Sequence, residues 1–155
     1  MSVKILCLGK TSEKYILDGM AIYQKRLSKY GGMQWIELPD NKKKNLNPTK
    51  LKEAEAKIFL KEIKPSDYVI GLDENGRHYS SRDFAAKWSQ VTSNNSDVVI
   101  LIGGAFGYGD AVYQRMNSMI SLSEMTFSHQ LVRLLFLEQL YRAYTILHGE
   151  PYHND

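Results

Sequence analysis

The chain has 155 residues, of which 43% are hydrophobic and 24% charged, with a formal net charge of +3 at neutral pH. This fits one globular domain, residues 1–155, large enough for a real core. No apolar run nears the roughly 20 residues that cross a bilayer and Ile5–Leu8 is too short for a signal-peptide core, so a cytoplasmic protein with no membrane partner is expected.

Residues 1–64 carry 14 Lys and Arg against 7 Asp and Glu, whereas residues 65–155 carry 6 against 10. A basic first half suits an anionic partner, although lysines that merely solvate two exposed helices give the same imbalance. The single cysteine, Cys7, excludes an intramolecular disulfide and falls in a predicted strand, where it reads as a small buried hydrophobe. The four histidines show neither H-E-x-x-H nor a Cys/His spacing suited to zinc, so no metal is expected.

Val3 to Leu8 is a short apolar run ending at Gly9 and reads as a first buried strand. Thr11 or Ser12 can cap a helix whose inner face is Ile16, Met20, Tyr23, Leu27 and Tyr30, stopped by Gly31-Gly32. Trp35 to Leu38 is a second strand. The polar stretch from Asp40 to Pro48 includes Lys42, Lys43 and Lys44, which read either as a solvated loop or as a phosphate contact. A charged helix follows from about Thr49 to Ile63, then a third strand from Tyr68 to Leu72, with Asp73-Glu74-Asn75-Gly76 as a turn. Ser80 or Ser81 caps a third helix with Phe84, Trp88 and Val91 inward, and Val98 to Ile102 is the most apolar strand. Such alternation predicts an α/β fold, a mostly parallel sheet with helices on both faces.

Two strand-loop-helix units dominate the remainder. The first loop, Gly103-Gly104-Ala105-Phe106-Gly107-Tyr108-Gly109, matches neither G-x-G-x-x-G nor the G-K-[ST] ending of a P-loop, and no lysine follows Lys87. Its glycines allow close backbone approach to an uncharged ligand, or simply a tight turn. The second loop runs from Ser121 through Ser128 into a helix that begins near His129 and is apolar on nearly every side. Only Arg133, Glu138, Gln139, Arg142 and Thr145 form a narrow polar stripe. Burial on nearly all sides so close to the end of the chain predicts a second subunit covering that helix. Ligands in open parallel sheets bind outside the carboxyl ends of the strands, which makes the crevice between these two loops the candidate site.

The opening V-K-I-L-C-L-G-K, the E-L-P-D after the first helix, L-D-E-N-G-R-H-Y-S-S, L-I-G-G-A-F-G, S-L-S-E-M-T-F-S-H-Q-L-V-R and the terminal Y-R-A-Y…G-E-P-Y-H closely resemble the RlmH family of ribosomal RNA large-subunit methyltransferases, within the SPOUT superfamily. The resemblance covers essentially the whole chain. It implies a homodimer, a deep trefoil knot in the C-terminal part, and S-adenosylmethionine as methyl donor. The implied acceptor is N3 of a pseudouridine in helix 69 of 23S rRNA, within the assembled ribosome; no DNA is implied. Carried over by position, the donor contacts are Leu72, Gly104, Ser123, Glu124, Met125, Thr126, Phe127 and Ser128, with Leu72 and Met125 or Phe127 sandwiching the adenine. Two positions depart from the family: Ser128 stands where relatives usually have proline, and Asn154 where they usually have Arg or Lys.

An imide nitrogen must lose its proton to attack a methyl group, which suits a histidine. His153 is the expected base, with Tyr152 placing or stacking on the nucleobase. Arg142 or Arg133 would stabilise the ionised imide or hold RNA phosphate, whereas His129 reads as a hydrogen-bonded loop anchor. Tyr152 and His153 are expected to close over the neighbouring subunit's donor pocket. Competing readings are a SPOUT enzyme for another rRNA or tRNA position, a non-catalytic ribosome-binding protein, and a flavodoxin-like small-ligand protein.

Overall fold

In the computed structural model, which describes residues 1–40 and 47–154, five strands form one parallel sheet: β1 (Ser2–Leu8), β2 (Gln34–Leu38), β3 (Tyr68–His78), β4 (Asp97–Ile102) and β5 (Ser118–Ser121). Their order is β2-β1-β4-β3-β5. The lysine run at 42–44 lies outside the described residues. Helices α1 (Lys14–Leu27), α2 (Pro48–Lys61), α3 (Ser81–Asn94), α4 (Asp110–Arg115) and α5 (Leu131–Leu147) connect or follow the strands. Among the described residues, no helix is long and apolar enough to cross a membrane.

Strand alternation divides the core between the two faces. Ile5, Cys7, Ile70, Ile100 and Ile102 pack with Ile16, Phe84, Trp88, Phe136 and Leu140, so α1, α3 and α5 cover one face. Leu6, Leu8, Val69, Val99 and Leu101 pack with Phe59 and Val112, so α2 and α4 cover the other. Full burial of each large side chain contributes about 1.5–3 kcal/mol, enough to fix which face each helix takes.

The helix caps differ in how far sequence anticipated them. Ser80 Oγ accepts from Asp83 N at 3.0 Å and starts α3 as expected. Asn47 caps α2, accepting from Lys50 N at 2.9 Å, with Pro48 at the first helical position. Neither Thr11 nor Ser12 caps α1; the helix begins at Lys14 behind an uncapped Glu13. The Thr11 hydroxyl is engaged elsewhere, donating to Glu37 Oε2 at 2.5 Å and accepting from Arg133 at 2.8 Å.

The expected turn at Asp73–Gly76 lies inside β3. Ile120 of β5 faces Leu72 and then Arg77, so the four intervening residues bulge from the ladder. Gly76 makes this possible, since a Cβ there would lie 2.6 Å from the Ile120 backbone.

The route of α5 bears most on the site. It leaves the edge strand β5 and returns to pack against α1 and α3. Gln130 fixes the crossing by accepting from Ser12 N at 2.9 Å and donating to Lys10 O at 3.2 Å. Leu134 then fills the gap left by Gly19 of α1, where a Cβ would lie 2.9 Å from it. Phe136, Leu137, Leu140, Tyr141 and Ala143 are buried, whereas Leu131, Val132, Leu134, Leu135 and Ile146 are only half-buried and Leu147 is exposed.

Candidate active site

The carboxyl ends of three adjacent strands, β4, β3 and β5, release loops that enclose a cavity of about 650 Å³. That volume suits a nucleoside-sized ligand. Leu72, Ile102, Ile120, Leu122 and Val132 give it an apolar floor. Of the donor contacts expected from sequence, Leu72, Gly104, Ser123, Met125, Thr126, Phe127 and Ser128 line it, and Glu124 does not. Among the described residues its charged lining comprises Lys52, Asp73 and Glu74, two carboxylates against one lysine.

The glycine loop is held mainly by protein contacts. A Cβ on Gly103 would lie 2.9 Å from the Tyr108 ring, and one on Gly109 would lie 2.8 Å from Lys52 O of α2. Gly107 has φ of 78°, a left-handed conformation. These three glycines serve turn and packing. Among the described residues, a Cβ at Gly104 meets the Glu55 carboxylate alone, at an ordinary 3.6 Å. The buried Tyr108 hydroxyl lies 2.9 Å from Leu72 O and 2.8 Å from Leu101 O, tying the β3 and β4 ends together. Burial pushes its phenol well above the usual range. Burial also raises the Glu55 carboxyl, with Asp40 adding to the effect.

The loop after β5 is built by its own serines. Ser121 Oγ donates to Ser123 O at 3.0 Å, and Ser123 Oγ accepts from Met125 N at 3.0 Å. Ser128, at the position where proline was expected, accepts from Leu131 N at 3.1 Å and so caps the entry to α5. Met125 is 76% exposed and Phe127 36%, whereas Leu72, the other member of the expected sandwich, is buried.

The candidate catalytic residues gather at the far end of α5. Arg142 donates to Glu138 Oε1 through Nε at 3.1 Å and Nη2 at 2.5 Å, and Tyr152 donates to the same oxygen at 3.0 Å. The Arg142 guanidinium lies 4.8 Å from the Tyr152 ring centroid, and Tyr152 packs edge-on against Tyr141. The tail is therefore anchored rather than frayed. Burial, then the Tyr23 hydroxyl and Glu138, push the Tyr152 phenol up, so it keeps its proton near neutral pH and acts as a hydrogen-bond donor. Arg142 Nη1 lies 3.2 Å from His153 Nδ1. Because a guanidinium can only donate, Nδ1 is the acceptor in this contact. None of Arg142, Tyr152 and His153 lines the cavity. Val132, at the cavity, and Arg142 are ten helical residues apart, about 15 Å along the axis at 1.5 Å per residue.

Three expectations need correction. Arg133 is 2% exposed, buried in the protein rather than presented to solvent. It donates to Leu8 O at 2.6 Å, Gly9 O at 2.9 Å and Thr11 Oγ1 at 2.8 Å, and pairs with Glu37 at 3.4 Å. Carbonyls left open at the end of β1 explain its burial, because they offer acceptors that an apolar residue could not satisfy. His129 is exposed on the cavity lining, and the loop anchor is its neighbour Gln130. Glu124 is exposed and is not among the residues that line the cavity. Cys7 is fully buried and its thiol is pushed up to about 12 by burial, so it stays protonated.

Sequence reading assigned no site role to Asp73, Tyr113 or Glu138. The i,i+4 spacing of Glu138 and Arg142 was its only signal, and that spacing is common in ordinary helices. Asp73 was absorbed into the expected turn. Among the described residues, no group of three or more His, Cys, Asp and Glu side chains could hold a metal ion.

Known proteins place this geometry. The family model described as "Predicted SPOUT methyltransferase" matches residues 1–153. A "Ribosomal RNA large subunit methyltransferase H" from Christiangramia forsetii is 45% identical, covering 99% of this chain and 99% of the relative. One of the same name from Cytophaga hutchinsonii is 43% identical, covering 99% and 100%. A probable methylase family protein from Haemophilus influenzae shares the fold, with a TM-score of 0.51 at 12% identity over 95% of this chain and 66% of that one. A parallel sheet with its cavity at three strand ends and a family match over nearly its whole length mean that this chain belongs to the SPOUT methyltransferase family.

Proposed function

We propose that the chain is an S-adenosylmethionine-dependent rRNA methyltransferase acting on N3 of a pseudouridine in helix 69 of 23S rRNA, on the assembled ribosome. The observation that carries this reading is the cavity's lining: among the described residues one lysine stands against two carboxylates, over an apolar floor. Such a lining suits a nucleoside bearing a cationic sulfonium and is ill suited to a polyphosphate. The names of the relatives support rRNA as the acceptor.

Bound S-adenosylmethionine supplies an electrophilic methyl group on sulfur. Leu72, with Met125 or Phe127, would clamp the adenine, and Gly104, Ser123 and Met125 through Ser128 would line the rest. Tyr152 stacks on or places the nucleobase. When the base enters, Arg142 turns from His153 toward the imide carbonyl oxygen and stabilises the ionised imide. That movement uncovers His153 Nδ1, which takes the N3 proton. The ionised N3 would then accept the methyl group that bound S-adenosylmethionine supplies, with S-adenosylhomocysteine as the leaving product.

The cavity and the tail lie at opposite ends of α5, so the working site combines the cavity of one subunit with the tail of its partner. The half-buried apolar flank of α5 and the exposed Tyr15, Leu17 and Ile22 of α1 offer the surface for that homodimer. A trefoil knot in the C-terminal part belongs to the same reading; α5 follows the edge strand β5 and packs back against α1 and α3.

The test is methyl transfer from labelled S-adenosylmethionine to ribosomes, isolated large subunits and free 23S rRNA. Label at a helix 69 pseudouridine, strongest on ribosomes, is expected. Label elsewhere would reassign the target, and donor binding without transfer would indicate a non-catalytic binder.

A further inference from the structure

Asp73 follows Leu72 at the point where β3 leaves its register with β5. It lines the cavity and is half-buried. Both carboxylate oxygens are already oriented from the protein side. Oδ2 accepts from the Tyr113 hydroxyl at 2.5 Å, and Oδ1 accepts from Asn75 N at 2.8 Å. Tyr113 belongs to α4, just beyond the glycine loop, and a Cβ on Gly107 would lie 3.2 Å from its hydroxyl oxygen. One phenol therefore braces the loop after β4 and the carboxylate after β3. Burial and then Asp73 push that phenol up to about 12, which keeps it a donor. No ion pair to Asp73 occurs among the described residues. Each carboxylate oxygen has a second lone pair left. The adjacent Glu74 is exposed and is not held in this way.

We infer that Asp73 is a ligand-binding residue of this cavity, accepting hydrogen bonds from the two vicinal hydroxyls of a ribose, with Tyr113 as its positioning residue. The inference rests on the proposed S-adenosylmethionine site and deepens it. Consecutive Cα atoms are about 3.8 Å apart, and a ribose is bonded directly to its adenine. An adenine seated against Leu72 thus brings its sugar beside the next residue. The sulfonium lies further along the molecule, beyond C4′ and C5′. A carboxylate fixed on one side and acceptor-only on the other matches two O–H donors, as acidic residues do for nucleotide riboses in other α/β folds.

Calorimetry of the intact protein with S-adenosylmethionine, S-adenosylhomocysteine and 2′,3′-dideoxy-S-adenosylhomocysteine tests this. Loss of both hydroxyls should weaken binding to the unsubstituted protein at least tenfold. Asp73→Asn should weaken S-adenosylmethionine and S-adenosylhomocysteine by the same factor while becoming indifferent to the missing hydroxyls, the signature of a direct coupling. Tyr113→Phe should give a smaller loss of the same pattern. If the unsubstituted protein binds none of the three, the donor-site reading fails. If it binds all three equally, Asp73 does not hold a ribose, whatever the variants do. A loss in Asp73→Asn confined to S-adenosylmethionine would mean that the carboxylate reads the sulfonium charge and would overturn the ribose assignment.

Discussion

The two ends of α5 hold arginines in opposite circumstances. Arg133 is buried and spends its guanidinium on carbonyls at the end of β1, fixing where the chain crosses the sheet. Arg142 is half-exposed and spends its own on Glu138, Tyr152 and His153, all on the helix or the tail. Both lie on one sparse polar stripe in sequence. Their difference shows that residue type and helical phase do not separate an architectural arginine from one proposed for catalysis. The acceptors that surround each end of the helix do.

The same substitution at the two positions should therefore give different failures. Arg133→Met leaves strand-end carbonyls and Glu37 without their partner and should cost about 3–5 kcal/mol of stability, read as a lower urea midpoint. Arg142→Met should fold normally and lose methyl transfer. A well-folded Arg133→Met protein would erase the contrast.

The apolar flank can be divided in the same way. Leu140 is 1% exposed, so Leu140→Asp should give insoluble or unfolded protein, since an unpaired buried charge costs several kcal/mol. Leu135 is half-buried, and Leu135→Asp should leave a folded monomer by sedimentation. A dimeric Leu135→Asp protein would move the interface away from this flank.

A smaller effect is expected at the tail. His153→Ala should lower turnover by ~10²-fold, the ordinary size of a general-base contribution, with unchanged donor affinity. Raising the pH should partly restore it, because solvent then ionises the imide. Slow transfer at every pH would make His153 a positioning residue.

The smallest effect is a pH dependence at the architectural end. Burial raises the Glu37 carboxyl, but Thr11, Trp35 and Arg133 outweigh it and hold the group below its ordinary 4.5. A depressed carboxylate stabilises the fold fully above its unfolded value and loses that contribution as pH falls through the folded one. Stability should thus drop below about pH 4.5, and Glu37→Gln should flatten the drop in acid denaturation.

Much of this was legible in the sequence because burial leaves a pattern. Val98–Ile102 is apolar at every position and is the central strand β4, and Phe84, Trp88 and Val91 fall on one helical face. Leu72, Gly104 and the Ser123–Ser128 stretch reached the cavity, Glu124 excepted, through family resemblance rather than periodicity. What stayed hidden depends on partners distant in sequence. The strand inside the turn signal at Asp73–Gly76 needs β5 beside it. The burial of Arg133 needs carbonyls more than a hundred residues away. The Tyr113–Asp73 contact joins two loops that no local pattern connects.

The most direct test of an active site shared between subunits mixes two inactive chains. One lacks residues 152–155, and the other carries Gly104→Val in the cavity. Each alone should transfer no methyl group to ribosomes. After subunit exchange, a mixed dimer pairs the intact cavity of the first with the intact tail of the second, and activity should return. If the mixture stays inactive while mixed dimers are shown to form, cavity and tail act within one chain and the shared site is contradicted.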